Sequence, residues 1–159
     1  MKLIRADKEQ FVFEIGRREK HLLFEILRLY PLIPVAHQRL SRSNRAVKDN
    51  ENQRLLEESL AAQRAENRKH VLAMLDGPQS FKEVTSGYRF TLSPPQIEWL
   101  LQVLNDVRVG SWLALGSPDT EKGGQIPLNK ETAPQVLAME AAGSFEMVLI
   151  EAMSGQMPG

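Results

Sequence analysis

The sequence predicts a helix-dominated α+β fold, an N-terminal β-hairpin packed on a bundle of about four helices. Three observations carry this. Phe11, Phe13 and Ile15 place large apolar residues on one face at period two, after the polar turn Asp7-Lys8-Glu9-Gln10. Leu22, Ile26 and Tyr30 then recur four apart, with Leu23 and Leu27 beside them, which is the spacing of one helix face. Three further runs open or close on helix start and stop signals.

In order, Leu3 to Arg5 is the expected partner strand of residues 11–15. A two-stranded hairpin is marginal alone, so its Phe face must dock on helices. The first helix, residues 17–30, stops at Pro31 and Pro34, because proline lacks the amide donor and restricts the residue before it. A loop with a short turn is expected over residues 31–44. The second helix, about residues 50–75, is expected to start with Asn50 and Gln53 as a capping box and to stop at Gly77-Pro78. Its core stripe is Leu56, Leu60, Val71 and Met74, interrupted by Gln63 and Asn67. Residues 88–92 read as a short strand added to the hairpin.

Ser93-Pro94-Pro95-Gln96 is the strongest start signal: a serine cap, a proline at the first helical position, and a glutamine three after the cap. The helix it opens, to about Leu115, is apolar on nearly every side and is therefore expected to be central. Gly110, Ser111 and Ala114 would let a neighbour approach closely. Residues 117–131 form a polar loop. Thr132 with Gln135 is expected to cap a last helix running to about Met153, largely buried apart from a stripe of Glu140, Ser144 and Glu151. One domain over residues 1–153 and a flexible tail over 154–159 are expected.

Composition narrows the function classes. A 42% hydrophobic content with zero formal net charge excludes wholesale disorder. The chain has no cysteine, which removes disulfides, thiolate metal sites and cysteine nucleophiles. No signal-peptide pattern or spanning apolar run is present, so a cytoplasmic location without membrane partners is expected. Charge is uneven: residues 1–48 carry 11 Lys/Arg against 5 Asp/Glu, a net of +6, and the remainder 9 against 15, a net of −6. Either the basic half binds an anion or the halves fold against each other.

Chemical motifs are sparse. His21, His37 and His70 share no metal-ligand spacing, and Glu66 with His70 reads as a surface ion pair. There is no phosphate-cradling glycine loop, dinucleotide fingerprint or nucleophile elbow, and no cofactor is expected. Arg39, Arg42, Arg45 and Lys48 recur every third residue and are candidate contacts for an anion or a partner. No aromatic residue is interleaved with them, as a single-strand binder would need. Pairing with the acidic half is the alternative. Asn105, Asp106 and Arg108, with Glu57, are expected to form a buried polar network. Arg108 lies within about 20° of the Ile97–Leu115 line of its helix, so it is expected to point inward and meet Glu57. Asp106, about 160° away, is expected to draw a donor from the N-terminal half, and Asn105 to bridge to a backbone group.

The run Trp99-Leu100-Leu101-Gln102-Val103-Leu104-Asn105-Asp106-Val107-Arg108-Val109-Gly110, with Pro31-Leu32-Ile33-Pro34 and the Asn50–Gln53 helix entry, resembles a bacterial family. That family is the domain-of-unknown-function group two-thousand-and-seventeen. Its members pair an N-terminal strand–helix segment with a Leu-Asn-Asp-Leu-Arg-Leu stretch in a late helix. Leu104 to Val109 matches it with valines in place of two leucines. The resemblance covers about residues 10–153. It implies a gene neighbourhood shared with the ClpS adaptor of a cytosolic protease, and so a role tied to regulated proteolysis, but it assigns no site residue. The expectation is a non-enzymatic binding or adaptor protein with a protein partner. A nucleic-acid-binding regulator using the arginine series is the alternative, and an enzyme without a recognisable motif the third.

Overall fold

A computed structural model describes residues 1–33, 47–77, 80–118 and 128–155. Arg39, Arg42 and Arg45, most of the 117–131 loop, and residues 156–159 lie outside the described residues. The order of elements is β1 (Lys2–Ala6), β2 (Phe11–Ile15), α1 (Arg17–Leu29), α2 (Val47–Asp76), β3 (Lys82–Val84), β4 (Gly87–Leu92), α3 (Pro94–Ala114) and α4 (Ala133–Met153). The fold is helix-dominated α+β, as the sequence predicts; the described residues form four helices and one antiparallel sheet of order β1-β2-β4-β3.

The hairpin closes through Asp7, whose carboxylate accepts from the amides of Glu9 and Gln10, both at 2.9 Å. β4 joins it in a register that sets Phe11, Phe13 and Ile15 opposite Leu92, Phe90 and Tyr88. One sheet face is thereby aromatic and aliphatic: Phe13 stacks on Phe90 at 5.6 Å between centroids, and Phe81 and Phe24 continue the chain of rings onto α1. On the other face Glu14 pairs with Arg89 at 3.2 Å. β3 has only three residues, too few to show a period, and is absent from the sequence reading. Gly87 opens β4 with φ of 149°, and a Cβ there would sit 2.3 Å from the Ile15 carbonyl. Only glycine fits.

α3 starts where the sequence places it. The Ser93 hydroxyl accepts from the Gln96 amide at 3.4 Å, and the Gln96 side chain accepts from the Ser93 amide at 2.8 Å. The expected cap of α2 is corrected: the helix already begins at Val47, so Asn50 lies inside its first turn. α2 spans 30 residues, about 45 Å at 1.5 Å each. Val71 is its buried apolar residue, with Leu56, Leu60 and Met74 half-buried and Asn67 buried among them. The cap of α4 is also corrected. Thr132 makes no side-chain cap bond, and Asn129 instead accepts from the amides of Glu131 and Thr132 at 2.9 and 3.0 Å. A short asparagine turn upstream thus orders the helix entry.

α3 is central. Val103, Leu104 and Val107 are fully buried, and the helix packs on α1, α2 and, most extensively, α4. The expectation that α4 is largely buried is corrected. Its inner face holds Ala138, Ala141, Ala142, Phe145, Leu149 and Ala152, while Leu137, Met147, Ile150 and Met153 face outward. Leu104→Ala is expected to lower unfolding free energy by about 2–5 kcal/mol in urea titration. Leu55→Ala, on the exposed side of α2, should change it by no more than about 0.5 kcal/mol.

Candidate interaction surface

Two neighbouring turns of α3 hold the segment that leaves α1. The buried Asp106 carboxylate accepts from the Leu32 amide at 2.6 Å and the Ile33 amide at 3.4 Å. One turn on, Gly110 lets this segment lie directly on the helix: a Cβ there would stand 2.4 Å from the Leu32 Cβ. Burial pushes the Asp106 pKa above the ordinary aspartate value; the two amides and the Arg64 guanidinium, 4.0 Å from the other carboxylate oxygen, pull it back only in part. Asp106 does take its donor from the N-terminal half, and that donor is backbone. Residues 31–33 and the Asp106–Gly110 stretch of α3 thus meet through Leu32, Ile33, Asp106 and Gly110.

The remaining residues of the expected buried network separate. Arg108 is 44% exposed; its Nε donates to Glu146 of α4 at 3.1 Å and its Nη2 to Asn105 at 2.8 Å. Glu57 is no partner of Arg108: it stays on α2, where Gln53 donates to it at 3.2 Å. Asn105 accepts from this side chain and is itself exposed. The reason is geometric. The buried arc of α3 runs from Asp106 through Val107 to Ile97, about 180° wide. The Ile97–Leu115 line is the edge of that arc, not its centre, so a residue about 20° beyond it faces out. Glu146 is the more buried partner, and burial raises its pKa while Arg108 opposes the shift.

Beside Asp106, Tyr30, Ile33, Leu60, Gln63, Arg64, Asn67, Gln102 and Asn105 line a small cavity of about 180 Å³. Asn67 accepts from Gln63 at 3.0 Å and donates to Gln102 at 2.9 Å, tying α2 to α3. The Arg64 Nη2 is buried without a hydrogen bond. These groups read as a fastening between helices, with no nucleophile–base pair among them. His70 stacks on Trp99 at 5.2 Å and lies 3.6 Å from Glu66, so it too is part of the α2–α3 contact. Among the described residues, no three His, Asp or Glu side chains converge as metal ligands, and no helix is long and apolar enough to cross a membrane.

The outward face of α4 is the other distinctive surface. Leu137, Met147 and Ile150 are 55%, 62% and 53% exposed. Between α4 and α1 lies a groove of about 530 Å³ with Leu22, Ala141, Phe145 and Val148 in its walls and Glu19, Glu140, Ser144 and Glu151 at its edges. The sequence reading identified the Glu140–Ser144–Glu151 stripe and missed the apolar residues beside it.

Asp106→Asn keeps an oxygen acceptor for Leu32 but cannot ionise. Because the folded pKa of Asp106 lies above the unfolded value, its contribution to stability is full below the unfolded pKa and is lost as pH rises through the folded one. In urea titrations from about pH 4 to about pH 7, Asp106→Asn should therefore gain on the unsubstituted protein as pH rises. Asp106→Ala leaves two amides unpaired and should lose about 1–3 kcal/mol throughout. Gly110→Ala sets a helix-propensity gain of about 1 kcal/mol against displacement of the Leu32 backbone and its short hydrogen bond. Displacement should win, with a net loss of about 2 kcal/mol in the same titration.

No family model matches the chain, and comparisons with curated proteins and with solved structures return no match.

Proposed function

We propose that the protein is a non-enzymatic binding or adaptor protein of the cytoplasm that engages a protein partner through the outer face of α4. One observation carries this reading. Four of the six buried residues of α4 are alanine, while Leu137, Met147, Ile150 and Met153 are exposed. Single exposed apolar residues are ordinary on any surface. Alanine at four inward positions beside Phe145 and Leu149, with four large apolar residues exposed on the same helix, is what a second contact surface requires. The small inner residues let α4 sit close against α3, and the large outer ones leave apolar area for another chain. The resemblance to the domain-of-unknown-function family adds a link to regulated proteolysis, in which an adaptor would bring a protein to a protease.

Affinity capture from the source cell tests this, using the unsubstituted chain and a Leu137→Ser, Met147→Ser, Ile150→Ser variant. The variant should melt within about 2 °C of the original, since these side chains contribute little to the core. It should lose the captured protein. Capture of the same protein by the variant, or none by either, overturns the reading.

A further inference from the structure

The groove between α4 and α1 has chemistry specific enough to name its occupant. We infer that it receives a basic amphipathic helix of a partner protein, an inference that rests on the binding role proposed above and specifies the partner.

The groove has an apolar floor with an acidic border. Leu22 of α1 faces Ala141, Phe145 and Val148 of α4 across it, with Leu137 at one end. α4 carries three glutamates and neither lysine nor arginine. Glu146 is held by Arg108 on the α3 side. Glu19, on the α1 wall, is held by the Met1 amine and the Gly16 amide. Glu140 and Glu151 are exposed and have no cationic partner among the described residues. They lie within about 20° of one another around the helix and about 16 Å apart along it, with Ser144 between them. No lysine or arginine lines the groove; Met1 does, and its amine is paired with Glu19.

The occupant should be helical. Both long walls are helices whose backbone groups are already paired, so an extended peptide would bury amides and carbonyls without partners. A helix satisfies its own backbone and presents only side chains. Its apolar residues at i, i+3, i+4 and i+7 would enter the floor, and two cations about three turns apart would reach Glu140 and Glu151. A dimer that set α4 against α4 of a second copy would bring the same glutamates together and is disfavoured. Anionic lipid is disfavoured for the same reason.

Fluorescence anisotropy with a panel of synthetic 18-residue amphipathic helices tests this. The apolar register is varied, and each peptide is made with Lys, Gln or Glu at two flanking positions three turns apart. Lysine peptides should bind the full chain, and more weakly as salt rises. Glu140→Gln with Glu151→Gln should weaken them about tenfold. Val148→Asp should abolish binding, and Leu55→Ser on α2 should leave it unchanged. No binding by any peptide, equal binding of lysine and glutamate peptides, or indifference to the two glutamine changes overturns the inference. So does concentration-dependent dimerisation, in sedimentation, that Val148→Asp abolishes. If affinity capture still depends on Leu137, Met147 and Ile150 while the panel shows no preference for lysine, only the identity of the partner falls. If capture also fails, the binding role falls with it.

Discussion

The placement of residues 31–33 against α3 depends on the hydrogen bond between the Asp106 carboxylate and the Leu32 amide. It joins residues 74 positions apart, at 2.6 Å, and fixes where the chain goes after α1. Two competing effects meet there. A carboxylate in a buried site is disfavoured, as its raised pKa reflects. An amide donating to a charged acceptor recovers about 1.5–3 kcal/mol, and leaving that amide bare would be costly in its own right. The bond persists because Gly110 removes the steric obstacle one turn away. With the segment held against α3, Tyr30 and the α2 residues Arg64 and Asn67 come beside Gln102 and Asp106, and the polar cluster closes between the helices.

α3 is therefore a hub with two kinds of neighbour. Its apolar arc, from Trp99 through Val103 and Val107 to Ile97, meets its neighbours by burial, α4 above all. Its Asp106 edge meets the α1–α2 side by polar contacts, which are directional and set a position. Its Arg108 edge meets α4 through Glu146, a partly exposed pair of the sort worth little in isolation. The α3–α4 contact thus rests on packing of the buried face of α4, which includes Phe145 and Leu149 beside its alanines, and the charge pair adds orientation.

Much of the fold was legible because its signals are local. The Phe11–Phe13–Ile15 alternation, the Asp7 turn and the Ser93–Gln96 box each lie within a few residues, and each appears where the sequence puts it. β3 was not legible, since three residues carry no period. Asn50 and Thr132 show how a cap pattern is overruled: in one case helical residues extend upstream, in the other the Thr132 hydroxyl accepts from the Asn129 amide and not from the helix. The site was harder still. A helical wheel gives angles between residues of α3 but no direction for the core. Asp106 and Arg108 stand at opposite edges of one buried arc, and only the tertiary fold decides that one edge is covered and the other open. Arg108's partner is Glu146, 38 residues on, and nothing in the spacing singles it out over Glu57.

α4 exposes the same limit in a different form. A helix apolar all round is ordinarily buried all round. That rule assumes that every apolar face has a neighbour within the same chain. Here the described residues supply a neighbour for only one side, and alanines occupy most of that side. The side with the larger residues, Leu137, Met147 and Ile150, has no such neighbour. Selection for this chain's stability alone would favour the reverse arrangement, because burying leucine or isoleucine contributes about 1.5–3 kcal/mol and leaving it in water contributes nothing. The sequence pattern of α4 is therefore that of a core helix, and among the described residues only one of its sides is covered.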